Sequence, residues 1–415
     1  MSERIVVEHE GRSVGVLTRK GFRYANSWIE TGLPLSHSLP LEEGDIASPA
    51  LNWFANLLPE GATRERIARR MRLKVDDDFQ LLEALGRECA GAFTLRGERR
   101  NEGEEPGYRS LSEDELSSLS RSKGQLQVLQ EEGRLSLAGA QDKLPVRLGS
   151  QQELLLPKGN APSSHILKLP NPDFGAIVEN ELFCLRLAAS LELPVVSAHS
   201  VLLQKNRGLL VERYDREPSE GAPVQGLSAL KRLHQEDVTQ ALGLSRHAKY
   251  EEDDGASLPQ LAELLRSSGQ RPALEIRSLL RWLLFNAAIG NRDNHSKNLS
   301  RLHSGVPGAR WRVAPFYDLV NTTSYSRLST KLSFFLGGAQ RIEEMRPDNW
   351  GQVARDLGVN PALLFREANR IGELIGSQLR RVRDEVAEEL GSDARLVAVE
   401  RAIVKSNRSF GASLK

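Results

Sequence analysis

Apolar and polar positions alternate at the start of the chain and take helical spacing later. Arg4–Glu8 and Ser13–Thr18 alternate with period two around Glu10-Gly11, which predicts a hairpin. Phe54–Met71 has helical spacing with an arginine-rich outer face, and Pro59 must interrupt or start a helix there. Asp78–Leu85 predicts another helix. Gly97–Gly107, with Arg99, Arg100, Glu102, Glu104 and Glu105, is the best linker candidate. Ser112 and Glu115 stand at capping-box spacing.

From residue 125 to 216 the pattern predicts strands at Leu126–Leu129, Pro145–Leu148, Glu153–Leu156, Ser164–Leu169 and Leu209–Arg213, with one helix at Ala176–Leu191. After Arg216 it is mainly helical. Leu258, Leu261, Leu264 and Leu265 mark one amphipathic helix. Asn360-Pro361 opens another, with Leu364, Ala368, Ile371, Leu374 and Ile375 on one face. The expected architecture is α+β: an α+β unit at 1–107, a β-rich lobe at 108–216 and an all-helical lobe at 217–415. This is the outline of a two-lobed kinase-like fold.

Composition narrows the class. The chain has 415 residues, enough for two or three packed units. Apolar residues make up 40% and charged residues 27%, as in ordinary globular proteins. A net charge of +1 implies no global attraction to nucleic acid or membrane. Two cysteines, Cys89 and Cys184, are too few for a disulfide framework, so a reduced, cytoplasmic setting is expected. The apolar stretch Leu279–Ile289 contains Arg281 and is too short for a bilayer.

The chemistry concentrates in Asp293-Asn294-His295-Ser296-Lys297-Asn298, followed by Phe316-Tyr317-Asp318. Phosphoryl transfer needs a carboxylate to orient the attacking hydroxyl and oxygen ligands for Mg²⁺. Asp293 is the expected base, Asn298 and Asp318 the expected metal ligands. Lys297 or His295 would touch the phosphates. Upstream, Lys168 lies inside an apolar strand pattern, where a lysine either snorkels or finds an anion. On the following helix, Ile177, Val178, Cys184, Leu185 and Ala188 form one stripe with Glu181 in its middle, while Glu179 falls opposite with Arg186. A carboxylate on a buried face needs a partner, so Glu181 is assigned to Lys168. Ser136–Lys143 is a small-residue loop that suits close approach of phosphate and equally suits an ordinary turn. Leu209–Tyr214 reads as a strand leaving the first lobe, either a hinge for adenine or a core strand.

Together these stretches resemble the HipA family. The resemblance runs through Asp78–Leu82, Gly86–Ala92, Ser136–Lys143, Ile166–Pro170, Asn180-Glu181, Val211–Arg216, Leu233–Asp237, Gly290–Ser300 and Pro315–Asp318. It implies an ATP- and magnesium-dependent serine/threonine kinase with Asp293 as base and Asp318 on the metal. ATP contacts are implied for Ala138, Gly139, Ala140, Gln141, Asp142 and Lys143, for Lys168, and for Glu212, Arg213 and Tyr214. They are also implied for His295, Ser296, Lys297, Asn298, Tyr317 and Asp318. Ser136 matches an autophosphorylated serine whose phosphate would eject the loop. A HipB-like helix-turn-helix antitoxin is the implied partner, with operator DNA reached through it, and an aminoacyl-tRNA synthetase, foremost glutamate–tRNA ligase, the implied substrate. Arg292, Asn294, Ser296, Asp142 and Leu144 depart modestly from the family pattern. A non-catalytic nucleotide-binding corepressor and a lipid or small-molecule kinase are the alternatives. Gln235-Glu236-Asp237 is expected to start a helix, in a structural role in preference to lining the substrate groove, and Arg380, Arg381 and Arg383 to form a solvated helix face rather than a DNA contact.

Overall fold

The computed structural model describes residues 4–97, 105–121 (side chains to 119), 126, 129, 137–138, 141–204, 206–306 and 308–415. The linker stretch therefore falls largely outside the described residues, as do Ser136, Gly139 and Ala140.

The first unit is a four-stranded antiparallel sheet with helices on it. β1 (Arg4–His9), β2 (Arg12–Thr18) and β3 (Gly21–Tyr24) meander, and β4 (Thr94–Gly97) returns beside β1. Between β3 and β4 lie α1 (Asn26–Thr31), α2 (Ser48–Ala55), α3 (Gly61–Met71) and α4 (Asp78–Leu85). Phe22, Trp53, Phe54 and Leu95 anchor their shared core. The helical spacing over 54–71 is thus divided. α2 stops at Ala55, Pro59 follows, and Glu60 becomes the N-cap residue of α3.

The second lobe holds a six-stranded antiparallel sheet in the order β5-β7-β6-β8-β10-β9. Its strands are β5 (Gly107–Ser110), β6 (Lys143–Leu148), β7 (Leu154–Lys158), β8 (His165–Lys168), β9 (Ala198–Leu203) and β10 (Asn206–Glu212). α5 (Glu113–Arg121) starts with the expected capping box: the Glu115 amide donates to Ser112 Oγ (3.2 Å) and the Ser112 amide to Glu115 Oε2 (2.8 Å). The strand expected at Leu126–Leu129 is not found. Both leucines are helical and buried in this lobe's core. An i, i+3 apolar pair fits a helix face, which the short run concealed. α6 (Ile177–Ser190) packs behind the sheet.

The third region contains α7 (Val238–Ala241), α8 (Leu258–Ser268), α9 (Pro272–Ile289), α10 (Pro347–Asp356), α11 (Pro361–Leu390) and α12 (Leu396–Ser413). It is not all-helical. β11 (Arg216–Pro218) pairs with β12 (Leu230–Arg232), and β13 (His234–Asp237), β14 (Ser300–His303) and β15 (Arg312–Val313) make a three-stranded sheet. These strands are two to four residues long, too short for period-two alternation to stand out. α9 is buried over Leu279–Ile289 except around Arg281 and ends at Gly290, φ 76°. A Cβ there would collide with Ser406 and Thr323, so the chain turns sharply into the loop that carries Asp293.

The first unit is fastened to the rest by buried polar contacts. Glu88 binds Arg213 and Arg216 (both 2.9 Å) and Arg232. The Gly91 amide donates to Asp215 Oδ2 (2.8 Å). Asn52 and Asn56 donate to the carbonyls of Gly243 (2.9 Å) and Leu244 (3.0 Å).

Candidate functional site

β6 and β8 place Lys143 directly opposite Lys168, so both ammonium groups leave the same face of the sheet. Lys168 is buried and meets two carboxylates. Its Nζ lies 2.5 Å from Glu181 Oε1 on α6 and also binds Asp318. Burial opposes the charge on Lys168, but Asp318 and Glu181 outweigh it and hold its pKa above the ordinary value. Burial likewise works against the Asp318 carboxylate, yet Lys168 and Lys143 hold it at about 2. Glu181 is pushed upward by burial, with Asp318 adding to the effect of burial against Lys168. Glu179 lies elsewhere and binds Arg395 at 2.8 Å. Asp318 itself has φ 54°, the left-handed region that few residues other than glycine, asparagine and aspartate enter.

The loop after α9 is held from within. Asn291 Nδ2 donates to Asn286 Oδ1 (2.7 Å), and Asn291 Oδ1 accepts from the Asp293 amide (3.1 Å). Asn298 Nδ2 donates to the Asp293 carbonyl (2.8 Å), which fixes the amide's orientation. The Asp293 side chain is 55% exposed, whereas those of His295 and Lys297 are buried. One acid thus faces solvent from an otherwise closed loop. Burial lowers the pKa of His295 and favours its neutral ring. The Lys297 ammonium binds Glu60 Oε1 at 2.5 Å.

Lys143, Lys168, His295, Lys297, Asn298 and Asp318 line one cleft, floored by Tyr317 and bordered by Val211–Tyr214. Tyr214 and Tyr317 stack there, ring centroids 6.0 Å apart. A second hollow continues from Lys143, Asn298 and Asp318 past Asp293 and Gln141. Of the expected residues, Asp142 and Ser296 line neither space, while Ala138, Glu212 and Arg213 border the first and have partners of their own. Asp142 binds Thr63 Oγ1 (2.6 Å) and Arg66 (2.5 Å) of the first unit. Arg213 is committed to Glu88 and Asp215. Ser296 is buried against Thr239 (2.8 Å) and the Lys249 carbonyl (3.0 Å). Glu212 is exposed at the rim. Ala138 offers its carbonyl to Lys143 Nζ (2.8 Å).

The cleft also contains groups absent from the sequence-based assignment. The first unit contributes Asn56, Leu57, Glu60 and Ala90. Glu60 is shared between Lys297 and Lys249 (3.2 Å). Burial opposes its ionisation, but the two lysines bring its pKa down to about 2. Gln235 and Asp237 of β13 line the cleft too. Gln235-Glu236-Asp237, expected to begin a helix, is strand instead, and Asp237 caps the helix that follows, its carboxylate accepting from the Gln240 amide (2.8 Å), so it has both a structural and a cleft position. Burial raises its pKa to about 7. Tyr250 donates to Asp293 Oδ1 at 2.6 Å. In sequence the Pro59-Glu60 helix start and the Gly86–Ala92 and Leu233–Asp237 stretches left a trace, but not a place in the cleft.

A magnesium ion suits this donor set. Asp318 and Asn298 offer a carboxylate and an amide oxygen, hard ligands of the kind Mg²⁺ takes while keeping water and substrate oxygens. Among the described residues no cluster of three His, Cys, Asp or Glu exists to form an all-protein cage.

Known proteins resemble this chain in sequence and in fold. Residues 135–389 match the HipA-like C-terminal domain and residues 5–96 the HipA N-terminal domain. The protein Y4mE of Sinorhizobium fredii, named only as a candidate kinase, is 34% identical over 406 residues, 93% of each chain. The serine/threonine-protein kinase toxin HipA of Shewanella oneidensis is 28% identical over 374 residues, covering 86% of this chain and 83% of that one. The Shewanella HipA structure, solved with HipB and operator DNA, superposes with a TM-score of 0.82 at 24% identity, over 99% and 97% of the two chains. With both domain profiles matched in order along the chain, the protein belongs to the HipA family of kinases.

Proposed function

We propose that the chain transfers the γ-phosphoryl group of ATP to serine or threonine hydroxyls of proteins, with magnesium. The observation that carries this is the convergence of Asp293, Asn298, Asp318 and the Lys168–Glu181 pair on one continuous cleft. Asp293 orients the acceptor hydroxyl and takes its proton. Lys168, held charged by its two carboxylates, grips phosphate oxygens, and Lys143 and Lys297 add positive charge beside it. Asn298 and Asp318 hold the metal, which when bound neutralises charge on the phosphates. Tyr214, Tyr317 and the end of β10 accommodate the adenosine end of ATP.

The biological setting rests on kinship. A HipB-like helix-turn-helix antitoxin is the proposed partner, with operator DNA reached through it. An aminoacyl-tRNA synthetase, foremost glutamate–tRNA ligase, is the proposed target. Self-phosphorylation at Ser136 is the proposed off-switch, since phosphate adds about −1.5 to −2 charges beside a phosphate-binding loop.

Incubation with γ-labelled ATP and Mg²⁺, followed by phosphoamino-acid analysis, tests the reading. Label on phosphoserine or phosphothreonine of the chain or of a host protein is expected. Bound ATP with no label in either residue type would overturn it.

A further inference from the structure

Asp293 has one oxygen already engaged. The Tyr250 hydroxyl donates to its Oδ1 at 2.6 Å, while among the described residues no hydrogen bond reaches Oδ2. Tyr250 lies 43 residues upstream, in the segment between α7 and α8.

That segment is fixed on both sides of the tyrosine. The Lys249 carbonyl accepts from Ser296 Oγ (3.0 Å) and from the Ser296 amide (3.3 Å) inside the Asp293 loop. The Glu251 amide donates to the Ser333 carbonyl (3.1 Å), and Glu251 Oε2 accepts from the Phe335 amide (2.7 Å). The Tyr250 ring packs edge-on against His295, centroids 5.3 Å apart, with the Lys249 ammonium 5.2 Å from the ring centre. The hydroxyl is therefore delivered to Asp293 by a pinned backbone and a supported ring. Burial and the Asp293 carboxylate both keep the phenol protonated, so it acts toward Asp293 as a donor.

A half-exposed aspartate rotates about two side-chain bonds unless something restrains it. We infer that Tyr250 is a positioning residue for phosphoryl transfer: it holds Oδ1 of Asp293 and leaves Oδ2 to meet the acceptor hydroxyl. The inference rests on the kinase reading above and adds to it the group that orients the base. Tyr250 is not itself a proton acceptor in this scheme. The proton passes from the acceptor hydroxyl to Asp293.

Tyr250→Phe keeps the ring against His295 and removes only the hydroxyl. The full-length wild type, Tyr250→Phe, Asp293→Gln and the double variant are compared by single-turnover self-phosphorylation, with melting temperature as a check on folding. Tyr250→Phe is expected to lower the rate at saturating ATP by about 10-fold or more, with half-saturation by ATP changed by less than about twofold. In the Asp293→Gln background the same change is expected to have no further effect. An unchanged rate in Tyr250→Phe, or an equal loss in both backgrounds, would overturn the inference while leaving the kinase reading intact. Absence of transfer by the wild type both to itself and to host proteins would instead defeat the kinase reading.

Discussion

Asp237 shows how one residue's surroundings set a measurable property. Its carboxyl is buried at the cleft edge, and burial raises its pKa to about 7. A carboxyl whose folded pKa exceeds its unfolded value holds a proton in the folded state that the unfolded chain releases. Stability is then lost as pH rises from about 4 to about 7, and the loss is complete above that range. Asp237→Asn removes the titration and keeps a side-chain oxygen for the Gln240 amide. Thermal melting should show the variant gaining stability relative to wild type from pH 4 to pH 7, with a constant difference above. At this scale the sequence was informative wherever a residue's partner lay within a few turns of chain. Helical phase alone selected Glu181 over Glu179, and the structure pairs Glu181 with Lys168. Tyr250 left no such signal, because its partner is set by packing between segments and not by a local period.

At the scale of elements, the start of α3 has an unexpected reach. Glu60, the helix N-cap residue in the first unit, accepts from Lys297 and Lys249 across the cleft. Lys297 is buried, and a buried ammonium stripped of its carboxylate is costly, typically by about 3–5 kcal/mol. Glu60→Gln keeps the shape and removes the charge. Denaturant unfolding at neutral pH should show destabilisation of about 1–3 kcal/mol, because the amide oxygen still accepts one hydrogen bond. An unchanged midpoint would mean that the Lys297–Glu60 pair contributes nothing to the joint. The helices with caps and long periodic faces were legible in sequence, down to Asn360 accepting from the Ala362 amide at 2.8 Å. The short strands β11 to β15 were not, since two to four residues carry no readable alternation. Leu126 and Leu129 were misread for the same reason.

For the whole molecule, the first unit is a wall of the cleft and not an appendage. Asn56, Leu57, Glu60 and Ala90 border the space between the lobes, and Glu88 ties the unit to Arg213 and Arg216 just after β10. Sequence suggested three regions but not this closure, which depends on contacts between residues more than a hundred positions apart. The basic run on α11 gives no reason to invoke nucleic acid. Arg381 pairs with Glu385, and Arg383 with Asp384 and Glu400 (2.9 Å), as on a solvated helix face. The central claim is that this closed cleft transfers phosphate with Asp293 as base. The most direct test compares γ-phosphate transfer to protein by wild type and by Asp293→Gln, with ATP binding measured in parallel. The account predicts retained nucleotide binding and a loss of transfer of at least ~10²-fold in the variant. Transfer at the wild-type rate by Asp293→Gln would contradict it.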